Sequence, residues 1–406
     1  MTTLLRALRF LRRLCGHILR LEFSLARREL AASLRRLRLE LAARRQKRAV
    51  LRRLKERVDG RRVIVLPPTL DWHLPLFQRP QQLARAYSEK PDTFVIYLTA
   101  NTRCDSVAAA EEISRTLWLV NAALARELRP LLALASESVV SISWTANGYY
   151  IPLLRPDKVI YEYIDELEIF DGYNEHMRRE HLNLMRTADL TVCTATRLYE
   201  DALPSAKKAL LSPNAGDLRH FSRTAQASPS PELAEKARGR GAVLGYYGAL
   251  AAWLDYALLA AAAEKRRDWL FVLIGMDYDG SLGRSGLLEH ENVLWIPPQP
   301  YERLPEFLSL FDIALVPFVI NDITLSTSPV KLFEYMAAEK PILSAALPEC
   351  MKYESVATYS GTEDFLRKSE DLLARREDAA LIRTLRREAA ENTWAARTDE
   401  ILRALG

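Results

Sequence analysis

From Arg61 onward, short apolar runs alternate with helical stretches, and the series begins a second time after a break rich in serine, proline and glycine. Arg62–Leu66 (RVIVL), Thr93–Leu98, Val139–Ser143, Lys158–Ile164 and Leu190–Cys193 are short and almost uniformly apolar. Such runs read as strands covered on both faces. Pro80–Tyr87, Ala108–Leu119, Asn121–Leu134 and Tyr173–Thr187 read as helices between them. Alternation of this kind predicts an α/β chain with parallel sheets and crossover connections. The second series runs through Ala242–Tyr247, Trp269–Gly275, Val293–Ile296, Asp312–Pro317 and Pro341–Leu343, with residues 226–241 between the two as a linker. Two α/β halves joined by a hinge make a cleft, and ligands of such sheets sit at the carboxyl ends of the strands. That directs attention to Pro67–Arg79 after the first strand and Gly248–Asp255 after the restart.

The net charge of +5 over 406 residues conceals an asymmetry: residues 1–58 hold 18 Lys and Arg against 4 Asp and Glu, and the remainder 39 against 48. The basic segment contains no proline and a single glycine, Gly16, so it reads as one long helix or two consecutive ones. Leu4, Leu8, Leu11, Cys15, Ile18 and Leu25 form an apolar stripe that Leu30, Leu34, Leu37 and Leu41 resume after a phase slip. A coiled-coil or hairpin arm for a partner protein and an arm drawn to an anionic membrane surface both fit this pattern. Nucleic acid is not expected as a partner, because no aromatic interleaving or known motif accompanies the arginines. Homo-oligomerisation through the arm stays open. No run of about 18 apolar residues predicts a spanning helix, and Arg6, Arg9, Arg12 and Arg13 interrupt the amino-terminal apolar stretch too often for a secretory signal. Four widely spaced cysteines suit a reducing, cytoplasmic setting, peripheral to the inner face of the cell membrane if the arm binds lipid.

The chemistry concentrates in Thr324–Pro341 (TLSTSPVKLFEYMAAEKP). Ser328 reads as an N-cap and Pro329 as a first helical residue. The start of a helix attracts phosphate through unpaired N–H groups and the dipole. Lys331 adds a cation there, and Glu334 lies three residues on, placed to accept ribose hydroxyls. The plainer reading is an ordinary (i, i+3) surface pair.

Taken in order, six segments resemble a GT-B glycosyltransferase of the family 4 type that builds bacterial surface polysaccharides. They are HLPLFQRPQQLARAY (His73–Tyr87); YEYIDELEIFDGY with ADLTVCTATRLYEDAL; SPNAGDLRHF; LGYYGALAAWLDYALL; FDIALVPF with SPVKLFEYMAAEKPIL; and NTWAARTDEILRAL. The resemblance implies two Rossmann-like domains facing a cleft, an acceptor domain over 59–225 and a donor domain over 242–390. It also implies a terminal helix, 391–406, that crosses back to the first domain. It assigns the ribose to Glu334, the diphosphate to Lys331 and the Ser328 helix start, and close backbone approach to Gly248. Two positions depart from the family pattern. The Arg and Lys usual after that glycine are Ala249–Leu254 here, and the first glutamate of a paired motif falls at Ser326. Arg79 is then the expected source of additional positive charge.

The implied activity is transfer of a sugar from a nucleotide-diphosphate sugar, UDP preferred to GDP, to a lipid-linked or growing surface glycan. Retention of configuration is part of the resemblance, and no cofactor or metal is expected. Asp277-Tyr278-Asp279 imitates a metal motif but follows a strand end at Gly275, where a turn belongs. For the acceptor, Asp165 and Glu166 end a strand where a carboxylate can orient or deprotonate a hydroxyl, or simply cap the next turn. His73 either meets the transferred sugar or anchors its loop. Phe170 and Tyr173 fit either the core or an acceptor platform, and Tyr247 reads as core. Two rivals remain, a non-catalytic scaffold of the same fold and a nucleotide-sugar epimerase.

Overall fold

The computed structural model describes residues 23–75, 77–169 and 172–406. Phe170, and the stripe from Leu4 to Ile18, lie outside the described residues. The chain divides into two compact units, residues 23–74 with 87–159, and 75–86 with 160–406. Residues 226–241 lie within the second unit. There Pro231–Ala237 forms a helix whose Leu233 is buried, and Ser230 N–H donates to Glu306 O at 3.2 Å. Serine followed by proline marks a helix start as readily as a break.

In the first unit lie β1 (Arg62–Leu66), β2 (Thr93–Thr99), β3 (Ala110–Ser114), β4 (Leu117–Asn121) and β5 (Glu137–Ile142). Their order is β3-β4-β2-β1-β5, parallel apart from β3 on β4. β3 and β4 replace the helix expected over Ala108–Leu119. Ala and Glu favour a helix locally, but Leu117, Trp118, Leu119 and Val120 are buried on pairing with β2, and tertiary burial outweighs a weak propensity.

Helix α1 (Phe23–Val58) is a single 36-residue element that buries Ala43, Val50, Leu54 and Val58. It is fastened within the first unit by Lys47 to Glu127 at 3.2 Å, by Arg53 to Glu112 at 3.1 Å, and by the Arg53 guanidinium 4.5 Å from the Trp118 ring centre. Arg35 adds bonds to Arg103 O at 2.9 Å and to Asp105 O.

The second unit carries two parallel runs. One is β6 (Lys158–Tyr163), β7 (Leu190–Cys193) and β8 (Ala209–Leu211). The other is β9 (Ala242–Tyr247), β10 (Trp269–Ile274), β11 (Val293–Ile296), β12 (Ile313–Val316), β13 (Ile342–Ala345) and β14 (Val356–Tyr359), ordered β11-β10-β9-β12-β13-β14. β9 lies in the middle, so its carboxyl end opens where the strand order reverses, the usual place for a ligand in such sheets. Three helices complete the frame: α2 (Arg79–Ser88), α3 (Val330–Ala337) and α4 (Trp394–Leu405). α4 lies by β8: Arg397 Nε donates to Pro213 O at 3.0 Å, and Lys208 Nζ donates to Ala404 O at 2.5 Å. Among the described residues no helix is long and apolar enough to cross a membrane.

Candidate active site

At the end of β9 the backbone turns at Gly248, whose φ of +144° is open to glycine and strained for other residues. A Cβ there would lie 2.6 Å from Lys331 Cε and 3.2 Å from Lys331 Nζ. Gly275, at the end of β10, has φ +153°, and a Cβ on it would strike Gly248 O. The two glycines therefore let the strand ends approach each other and let the Lys331 side chain pack directly against the turn after β9.

Lys331 is half-buried, and its ammonium makes no hydrogen bond or ion pair among the described residues. Burial lowers its pKa, and the nearby Glu334 charge opposes that shift. The expected alternative of a Lys331–Glu334 surface pair does not form. Glu334 is 3% exposed, and its Oε2 accepts from the Tyr247 hydroxyl at 2.6 Å. Among the described residues its Oε1 accepts no hydrogen bond. Burial pushes the Glu334 pKa up to about 7, against the opposing effects of Lys331 and the Tyr247 bond. Tyr247 was read as core. It is buried, with its N–H on the Tyr335 hydroxyl at 3.3 Å, yet its own hydroxyl is the donor to Glu334.

Ser328 does not cap α3. The helix begins at Val330 after Pro329 in extended conformation, without a side-chain cap. The Ser328 hydroxyl instead accepts from Asn214 N–H at 3.2 Å, and Ser328 O accepts from Asn214 Nδ2 at 2.7 Å. Asn214 comes from the SPNAG segment, 114 positions earlier in the chain, so local spacing could not reveal the competition.

Arg79 is 2% exposed. Its Nε donates to Glu162 Oε2 at 2.8 Å, and its Nη1 donates to Pro213 O at 3.1 Å and Asn214 Oδ1 at 3.3 Å. Glu162, Arg79, Asn214 and Ser328 thus form one bonded chain from β6 to the start of α3. Arg79 Nη2 and Glu162 Oε1 are buried with no hydrogen-bond partner among the described residues.

Asp165 follows β6, part-buried, and its carboxylate takes no hydrogen bond among the described residues. Burial pushes its pKa up to about 6. The Glu166 charge adds to the shift and Arg79 opposes it. Glu166 does not cap a turn: its Oε1 accepts from the Ser326 hydroxyl at 2.8 Å, with Arg197 Nε at 3.8 Å. A carboxylate from another element therefore stands beside Ser326.

His73 belongs to the first unit. Its Nε2 lies 3.1 Å from Glu111 Oε1, and its N–H donates to Asp105 Oδ1 at 2.9 Å. Asp277 accepts from Leu282 N–H at 3.3 Å and Gly283 N–H at 3.1 Å, and Asp279 from Ser281 N–H at 2.9 Å and Ala252 N–H at 3.0 Å. Both carboxylates close turns. Among the described residues no cluster of three His, Cys, Asp or Glu could hold a metal ion.

The structure thus sets Gly248, Lys331 and Glu334 side by side and bonds Arg79 to Ser328 through Asn214. Glu166 is bonded to Ser326, and Asp165 feels Arg79 through its charge alone. Sequence reasoning missed Tyr247, Asn214 and Glu162. The SPNAG segment was the available signal for Asn214.

Residues 256–403 match the family described as Glycosyl transferase-like. The chain is 27% identical over 241 residues to TuaH of Bacillus subtilis (strain 168), a protein named for a glycosyltransferase role in teichuronic acid biosynthesis. That match covers 57% of this chain and 60% of the relative, so the chain spans less than two thirds of the curated relative's length. Among solved structures, sucrose-phosphate synthase from Thermosynechococcus elongatus superposes with a TM-score of 0.59 at 15% identity, covering 84% of this chain and 98% of that one. Anabaena HepE in complex with UDP and glucose does so with a TM-score of 0.57 at 12% identity, covering 85% and 99%.

Proposed function

We propose that this chain, which has the GT-B glycosyltransferase fold and a Glycosyl transferase-like region at residues 256–403, moves a sugar from a nucleotide-diphosphate sugar to a lipid-linked or growing surface glycan. The observation that carries this reading is Lys331, a half-buried cation with no hydrogen bond or ion pair among the described residues, packed against the backbone turn at Gly248. An ammonium without a bonded partner at a strand end is matched to an anion, and a diphosphate approaching the glycine turn would meet it. As the sugar–phosphate bond breaks, negative charge grows on the leaving phosphate, and a fixed ammonium stabilises it more than the ground state. Lysine performs the neutralisation a metal would otherwise supply, so the reaction is read as metal-independent, with retention of configuration and UDP preferred to GDP.

Glu334 Oε1 accepts the ribose hydroxyls, and rotation of the Tyr247 hydroxyl frees Oε2 for the same purpose. Arg79 acts indirectly: paired with Glu162, it holds Asn214, which fixes Ser328 at the start of α3. Asp165, unbonded and with a pKa near 6, orients and deprotonates the acceptor hydroxyl at neutral pH. Glu166 holds Ser326, and His73, bonded to Glu111 and Asp105 within the first unit, takes the loop-anchoring role. The protein works at the cytoplasmic face of the membrane, its basic arm meeting either anionic lipid or a partner protein.

The test is a panel of nucleotide sugars, each incubated with and without lipid-linked glycan acceptors and analysed by mass spectrometry. The expected result is acceptor gaining one sugar as nucleoside diphosphate is released. Conversion of the donor without acceptor would indicate an epimerase. Inertness toward all donors would indicate a scaffold.

Two variants probe individual groups. Below pH of about 6 protonation of Asp165 is expected to lower kcat/KM; Asp165→Asn should remove that acidic limb and cost about 10²–10⁴-fold in rate. Glu334 has a folded pKa above its unfolded value, so its stabilising contribution is full below about 4.5 and is lost as pH rises through about 7. Glu334→Gln should therefore melt higher than the parent at pH of about 8 and nearly equal to it at pH of about 4, while binding UDP more weakly. A variant with lower stability at both pH values would contradict this.

A further inference from the structure

Helix α1 has two dissimilar faces. One carries Ala43, Val50, Leu54 and Val58 and is buried. The other carries Leu30, Leu34, Leu37 and Leu41, exposed by 40%, 48%, 50% and 48%. At helical spacing the same line continues through Arg44, Arg48, Arg52 and Lys55, all exposed and none ion-paired among the described residues. No acidic residue falls on it: Glu29, Glu40 and Glu56 project to either side.

We infer that this outward face of α1 docks on an anionic lipid bilayer, lying in the plane of the surface. The four leucines enter the boundary between headgroups and acyl chains, and the four cations meet headgroup phosphates. The charge pattern selects this occupant. A second copy of the chain aligned in parallel would set Arg44 and Arg48 against their own equivalents, and an antiparallel copy would set leucines against cations. Only a partner with an apolar layer beneath an anionic one satisfies both halves of the line. Four leucines on the outward face of a helix whose other apolar face is already covered allow it to lie on a bilayer, not to cross it. The inference is independent of the catalytic reading, since UDP binding and vesicle binding can each fail alone.

The experiment is co-sedimentation of the full chain with vesicles of phosphatidylcholine alone and of phosphatidylcholine and phosphatidylglycerol in equal parts. The variants are L34E/L37E and R44E/R48E/R52E. Their positions are exposed, so the fold should persist, and an unchanged melting temperature checks that it does. Deleting the whole helix would be a poorer test, because it would uncover the residues that pack on Val50, Leu54 and Val58. The parent is expected on the anionic vesicles and not the neutral ones, with binding falling as salt rises. Each variant should lower the bound fraction by about tenfold or more. Equal binding to both vesicles, full retention by both variants, or a concentration-dependent dimer dissolved by L34E/L37E would overturn the inference, the last assigning the face to a second copy.

Discussion

Replacing Lys331 by alanine is expected to weaken UDP binding by about 1–3 kcal/mol, roughly 5–150-fold in Kd, without lowering the melting temperature. The two halves of that result come from one observation. Among the described residues the Lys331 ammonium makes no hydrogen bond or ion pair, so its removal breaks none. Because burial disfavours its charged form, truncation also relieves a desolvation cost, and the free protein should be at least as stable as before. Competition against a fluorescent nucleotide gives the affinity, and a thermal scan gives the stability. A merely structural lysine would show the reverse: lower stability with unchanged affinity.

Arg79→Ala should behave in the opposite manner and destabilise the chain by about 3–5 kcal/mol. The guanidinium is 2% exposed and paired with Glu162, itself 1% exposed, so truncation strands a buried carboxylate. Pro213 O and Asn214 Oδ1 lose a donor at the same time, and Asn214 then holds Ser328 less firmly. Glu162→Gln in the Arg79→Ala background should recover much of the stability, because a neutral amide tolerates the missing cation. Recovery of stability without recovery of UDP affinity would separate the positioning role of Arg79 from its part in the core. If Arg79→Ala melts within a degree or so of the parent, the ion pair is not the anchor described here.

What could be read from the chain in advance follows from how local each signal is. Strands such as RVIVL and WLFVLI are covered on both faces, so they appear as unbroken apolar runs, and both parallel sheets were legible from them. The segment AEEISRTLWLV was misread as a helix because its composition is helical, whereas its structure is imposed by β2 through Leu117 and Val120. Lys331 and Glu334 were legible because their relation is one helical turn. Their surroundings were not: Tyr247 meets Glu334 across 87 residues of sequence, and Glu166 meets Ser326 across 160. Ser328 illustrates the general difficulty. A serine before Pro329 has the local signature of an N-cap, and only the fold shows that Asn214 has claimed its hydroxyl. The arm's apolar stripe was equally visible, but which leucines face outward depends on what α1 covers.

The central claim is that the Lys331 ammonium, beside the Gly248 turn, binds a diphosphate. Isothermal titration of the unaltered chain with UDP, repeated in the presence of inorganic pyrophosphate, tests it most directly. A single UDP site whose apparent affinity falls as pyrophosphate rises is the predicted result. Absence of UDP binding, or UDP binding indifferent to saturating pyrophosphate, would contradict it.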